Sequence, residues 1–205
     1  RLTTGIIRVI GNGVTIRNGT LITNGITSDG GAFKLANLSV KSAGNPLGFF
    51  IEPSGDIIVN DCVFKDIPGI VLDFYRGNGG TVKNSRFIGN RIGISIQHSN
   101  NVLIQKNMFI RNTSVGVNLW NEDGGGVNNN IIRNNYFIGN KLGIRMLANP
   151  SLISRLTMDG NRILGNKIAS SSQSGLLMEV ICINNSPCPA QRMVVAGNLF
   201  NRNGF

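Results

Sequence analysis

One pattern recurs about eight times along this chain, and it constrains the fold to a stack of short coils. It reads apolar-x-apolar-x-x-Asn-x-Phe, usually followed by x-x-Asn and then by Gly-Ile-x-Ile. Residues 102–119 show it best, with Val102, Ile104, Asn107, Phe109, Asn112, Gly116, Val117 and Leu119. The same frame fits Leu156, Met158, Asn161, Ile163 and Asn166, and again Met193, Val195, Asn198, Phe200 and Asn203. The position held by Phe runs Leu21, Val40, Phe64, Phe87, Phe109, Phe137, Ile163, Phe200, with gaps of 19 to 37 residues. Apolar residues alternate around each anchor, so these segments are strands with every other side chain inward. A second strand follows in most coils: Gly48-Phe49-Phe50-Ile51, Gly69-Ile70-Val71-Leu72, Gly93-Ile94-Ser95-Ile96, Gly143-Ile144-Arg145-Met146 and Gly175-Leu176-Leu177-Met178. No coil buries its own apolar face alone, and stacking supplies the cover.

The Asn residues suit tight corners between strands, since Asn tolerates left-handed backbone and hydrogen-bonds locally. Asn90, Asn112, Asn140, Asn166 and Asn203 stand three residues after the anchor, and Asn107, Asn135, Asn161 and Asn198 two before it. Stacked in register, these amides can also bond from coil to coil. They are expected to be structural, not catalytic.

A coil of this size with two or three strands resembles one turn of the right-handed parallel β-helices of the pectate-lyase-like superfamily. The resemblance runs from about Ile6 to the end of the chain and implies an all-β solenoid of about eight coils, roughly 40 Å long. It implies one domain over residues 1–205, with a longer insertion at about 165–192. Lyases, hydrolases, epimerases, tailspikes, adhesins and catalytically silent proteins share that fold, so it assigns no activity. It does imply export, to a secreted or cell-surface location. The chain opens Arg1-Leu2-Thr3-Thr4 and goes straight into Ile6-Ile7-Arg8-Val9, so any leader is expected to have been removed. No apolar run reaches membrane-spanning length. The bare terminal coils are expected either to be covered by flanking residues absent from this chain or to pair end to end with another subunit.

The net charge of +10 calls for an anionic partner. Arg91, Lys141 and Lys167 each follow a corner Asn; Arg86 and Arg162 precede an anchor; Lys83 and Arg133 lie four before one. Stacking is expected to align these into stripes that bind an acidic polysaccharide or another polyanion. Nucleic acid ranks last, because aromatics for base stacking are few. Three cysteines remain. Cys62 occupies the corner position of Asn107 and Asn135 and is expected to be a buried thiol. Cys182 and Cys188 bracket a short loop that a disulfide can close in an oxidising compartment. A zinc site is not expected, because the one histidine, His98, is far from these cysteines in sequence and no Cys-x-x-Cys occurs.

Chemistry has one candidate patch. An outward row is expected to read Glu52, Asp73, Gln97, Trp120, Leu147, Glu179, with Tyr75, Arg76, His98, Glu122 and Asp123 just beyond. Glu52 and Asp73 on adjacent coils can bind Ca²⁺ or share a proton, and no other cofactor is expected. Gln97, Trp120 and Tyr75 can hold a sugar. Arg145, Arg76 and His98 are the other catalytic candidates, for a lyase acting on an acidic glycan. The signatures of the related enzymes are missing: no Asn-Thr-Asp, Asp-Asp or His-Gly of polygalacturonases, no Trp-Ile-Asp-His of pectate lyases, and no Asp-Pro-His-Asp of alginate epimerases. The expected function is therefore an exported non-enzymatic β-helix with a structural, adhesive or carbohydrate-binding role, with the lyase as the alternative.

Overall fold

Short alternating segments broken by Asn should give brief strands and sharp corners, and the computed structural model has that form. It describes residues 1–3, 5–29, 31–44, 57–121, 126–148, 162–169, 171–180 and 193–203. Its strands pair in parallel, and no helix occurs among the described residues. A 15-stranded sheet has two columns that meet in Phe33–Ser42. One column runs Val63–Lys65, Arg86–Ile88, Met108–Ile110, Tyr136–Ile138, Lys167–Ala169, Leu199–Asn201. The other runs Ile57–Asn60, Thr81–Lys83, Leu103–Gln105, Ile131–Arg133, Arg162–Leu164, Val194–Ala196. A five-stranded sheet closes the coil with Ile70–Tyr75, Ile92–Gln97, Val115–Asn121, Leu142–Ala148 and Ser174–Val180. Five turns thus carry both sheets, fewer than the eight expected, and the long sheet continues past them towards both termini. Strands Lys167–Ala169 and Ser174–Val180 belong to a regular turn, so the first part of the supposed insertion at 165–192 is ordinary coil. Residues 181–192 lie outside the described residues.

The core is a set of aligned rows. The anchor row is Leu21, Val40, Phe64, Phe87, Phe109, Phe137, Ile168, Phe200. Its rings stack with centroids 5.1, 4.9 and 4.7 Å apart from Phe64 to Phe137. The glycines of Gly-Ile-x-Ile exist because of this stack. A Cβ on Gly116 would sit 2.7 Å from the Phe137 ring and 2.6 Å from the carbonyl oxygen of Gly143. Gly93 meets Phe109 in the same way, and Gly175 meets Phe200. From Phe109 onward each anchor thus presses on the glycine of the coil before it, where no side chain fits.

Ile168, not Ile163, holds the anchor position, which corrects the sequence reading. Ile163 belongs to the other column, between Ile132 and Val195. The two corners of a coil share one local pattern, apolar-x-x-Asn, five residues apart. In this coil the second corner carries Ser171 in place of Asn, so the frame slides back by one corner.

The corners are held by side-chain amides. Asn135 accepts the N–H of Asn107 on its Oδ1 at 2.8 Å and donates from Nδ2 to the carbonyl of Ile104 at 3.0 Å. Asn107, Asn166 and Asn198 repeat this in their own coils. A parallel ladder runs through Asn90, Asn112 and Asn140. Amides also bond to one another, as Asn107 to Asn135 at 3.1 Å and Asn112 to Asn140 at 2.8 Å. The left-handed residue is the one before the ladder position, as at Lys106, Asn134 and Arg111, with φ of 56°, 55° and 51°. The amide itself turns inward, which assigns the strain and the bonding to separate residues.

Cys62 stands at the end of the first ladder, with its N–H bonded to the Ser85 hydroxyl and its thiol buried. Burial pushes its pKa up from 9.0. Two measurements follow. Replacing Phe109 by Ala should lower stability in urea by about 3–5 kcal/mol, because the rings on both sides lose their contact. In a Cys182→Ser, Cys188→Ser background, Cys62 should ignore thiol reagents until the chain unfolds. Its folded pKa lies above the unfolded one, so its stabilising contribution is present below the unfolded thiol pKa and lost as pH rises. Stability should then fall more steeply at alkaline pH than in the Cys62→Ala variant.

Candidate functional site

The outward face of the five-stranded sheet gathers most of the residues named as candidates, in a different register. Leu72 pairs with Ile94 and Phe74 with Ile96, so Asp73 stands beside Ser95 and Tyr75 beside Gln97. One row therefore reads Asp73, Ser95, Asn118, Arg145, and the next reads Tyr75, Gln97, Trp120, Leu147, Glu179. Asp73 does not stand in the Gln97 row, as expected from sequence. The slip is two residues, because Val71 takes the place that glycine holds in later coils, and Gly69 mimics the missing mark. A two-residue slip keeps inward side chains inward, so the pattern does not betray it. Glu52, Glu122 and Asp123 lie outside the described residues.

The first row is buried although it faces away from the core: Asp73 is 2% exposed, Ser95 0% and Asn118 1%. Gln97 donates its Nε2 to both carboxylate oxygens of Asp73 at 3.0 Å, and to the Ser95 hydroxyl at 3.2 Å. Arg145 donates from Nε to the Asn118 Oδ1 at 2.7 Å. Ser95 and Asn118 were missed in the sequence; their only signal is a polar residue at the x of Gly-apolar-x-apolar. Asp73 and Arg145 share the row at three coils' separation, roughly 14 Å. The Arg145 side chain reaches back one coil from that backbone position, to Asn118. Among the described residues, no group of three His, Cys, Asp or Glu is placed to hold a metal ion.

The second row is half-buried and reaches solvent. Tyr75, Gln97 and Trp120 follow one another on successive coils. The indole N–H of Trp120 is buried, with no hydrogen-bond partner among the described residues, so the exposed part of its ring is hydrocarbon. His98 meets the Tyr75 ring edge-on with centroids 5.7 Å apart, and the exposed Arg76 guanidinium lies 5.0 Å from the same ring. The row is therefore an aromatic, an amide and an aromatic with a cation at one end.

The basic residues do not form the stripes expected. The second corner ladder passes Asn90, Asn112, Asn140 and then Ser171, so Arg91 and Lys141 are separated by Thr113 and followed by Ser172. Lys167 leaves that line, because Asn166 belongs to the first ladder. It pairs with Tyr136, in the row Val63, Arg86, Met108, Tyr136, Lys167. Arg162 sits between Ile131 and Val194 in the other column. Lys83 and Arg133 flank Gln105, whose Oε1 accepts from Arg133 at 3.0 Å. The cations are thus spread over several faces. Cys182 and Cys188 lie outside the described residues.

The family model described as the right-handed β-helix region matches residues 7–186, and the chain belongs to that family. No curated protein and no solved structure matches the chain.

Gln97 ties the buried Asp73 to the solvent-reaching row. Its removal leaves a buried carboxylate short of a donor. Gln97→Ala should cost about 1.5–3 kcal/mol in urea unfolding, the range for hydrogen bonds to charged groups.

Proposed function

We propose that this β-helix is an exported, non-enzymatic protein that binds an acidic polysaccharide along the row Tyr75, Gln97, Trp120. The observation that carries the reading is this solvent-reaching aromatic–amide–aromatic row at coil spacing, with Arg76 at its end. Aromatic faces stack on the C–H faces of sugar rings, and the Gln97 amide, whose Nε2 is committed to Asp73 and Ser95, offers its Oε1 as an acceptor to hydroxyls. Coils rise about 4.8 Å each, close to the length of one pyranose, so successive sugars can meet successive rungs. Arg76 and the net charge of +10 favour a chain bearing carboxylates. Export and a structural or adhesive role on a cell surface belong to the same proposal.

The lyase reading has less support. Asp73, buried, is held by Gln97, and the partly buried Arg145 is bonded to Asn118. Binding is measured by titrating pectate, alginate and hyaluronate, with and without Ca²⁺, while the ultraviolet absorbance of unsaturated uronate is followed. Trp120→Ala should weaken binding at least about tenfold in a chain that still melts cooperatively well above the assay temperature, and added salt should weaken it further. Unchanged affinity in Trp120→Ala overturns the assignment of the row. Growth of unsaturated product turns the protein into a lyase.

A further inference from the structure

The long sheet has an outward face that the glycan reading leaves unused. Beside the buried anchors Phe87, Phe109 and Phe137, the residues that point outward in one row are Ile88, Ile110 and Ile138. The adjoining outward row holds Met108 and Tyr136 between the exposed cations Arg86 and Lys167. Ile138 and Tyr136 are 39% and 43% exposed. Lys167 lies 5.3 Å from the Tyr136 ring. Across the isoleucine row, Arg111 follows Ile110 in left-handed backbone. Its stem comes within 3.4 Å of the Cβ site of Gly139, the residue after Ile138. The apolar row therefore has two cations, Arg86 and Lys167, along one long edge, and Arg111 along the other, where Asp66 holds the equivalent position two coils earlier. The nearest acid, Asp66, is at one end and paired with Lys65 at 3.6 Å.

We infer that this face docks on an anionic lipid surface, isoleucines towards the acyl boundary and cations among the headgroups. Charge and shape together select that occupant. A second copy of the chain would bring cations against cations, which repel. A hydroxyl-rich polymer would leave the isoleucines wet and gain nothing from them. An acidic protein partner gains most where a few bulky anchors enter pockets, whereas this face offers a row of similar isoleucines on successive coils. What remains is a repeating apolar strip with one cationic edge, Arg86 and Lys167, and a tyrosine on that edge. That composition matches a layer whose interior is hydrocarbon and whose surface is negative. Docking of this kind is peripheral: no helix among the described residues is long and apolar enough to cross a membrane.

The test is flotation of the full chain with vesicles of phosphatidylcholine, plain or with about one third phosphatidylglycerol. Binding should appear only with the anionic lipid and should weaken with salt. The double variant Ile110→Ser, Ile138→Ser, and separately Arg86→Gln, Lys167→Gln, should each reduce it at least tenfold at an unchanged melting temperature. Trp120→Ala should bind vesicles like the native chain, which separates this face from the proposed glycan row. Equal binding to plain phosphatidylcholine overturns the inference, as does no binding to either vesicle. Indifference to both double variants overturns it as well. A change in sedimentation of the isoleucine variant without vesicles assigns the face to a second copy instead.

Discussion

The hydrogen bonds that close the corners govern this structure. A parallel sheet satisfies backbone groups along its strands, but a sharp turn between strands leaves an N–H and a carbonyl facing inward. Buried and unpaired, such groups are costly. Asn135 resolves both at once, accepting from Asn107 and donating to Ile104. Because one amide does this from a fixed position, successive coils must stack without offset. That alignment is what lets Phe87, Phe109 and Phe137 stack as rings and lets Gly93 and Gly116 lie beneath them. Aromatic stack, glycine row and outward rows all inherit their alignment from the corners.

Much of this could be read in the chain. The anchor row was legible from Leu21 to Phe137, because a large aromatic in a period-two pattern has one place to go. The buried thiol of Cys62 was legible too, since its position matched an Asn that faces inward. Errors arose where the chain repeats within its own repeat. Asn166 fits either corner by local pattern, and only the substitution at Ser171 distinguishes them. That single ambiguity misplaced Ile163, Arg162 and Lys167. Val71 in a glycine position displaced Asp73 by two residues, a shift that alternation cannot detect. Register in a solenoid is set by what lies one coil away, about twenty residues distant in sequence.

The same displacement alters the chemistry of the outer face. In the expected register Asp73 stood exposed beside Gln97 in one row. In the structure it is buried, and Gln97 reaches across rows to hold its carboxylate. Solvent is left with the partly exposed Tyr75 and Trp120. Membership of the β-helix family accounts for the scaffold, and the side chains on its outer faces are what this chain adds to it.

The corner ladders also have a direction. Asn90, Asn107, Asn112, Asn135, Asn140, Asn166 and Asn198 each reach back to the backbone of the coil before their own. A coil therefore has its corners completed only when its successor is in place. On a ribosome, where the amino-terminal coils emerge first, the growing rod always has an unfinished frontier, healed one coil at a time. Order is handed forward along the chain, and the newest coil is the least secure. A rod of this kind is vectorial even though its strands look alike from either end.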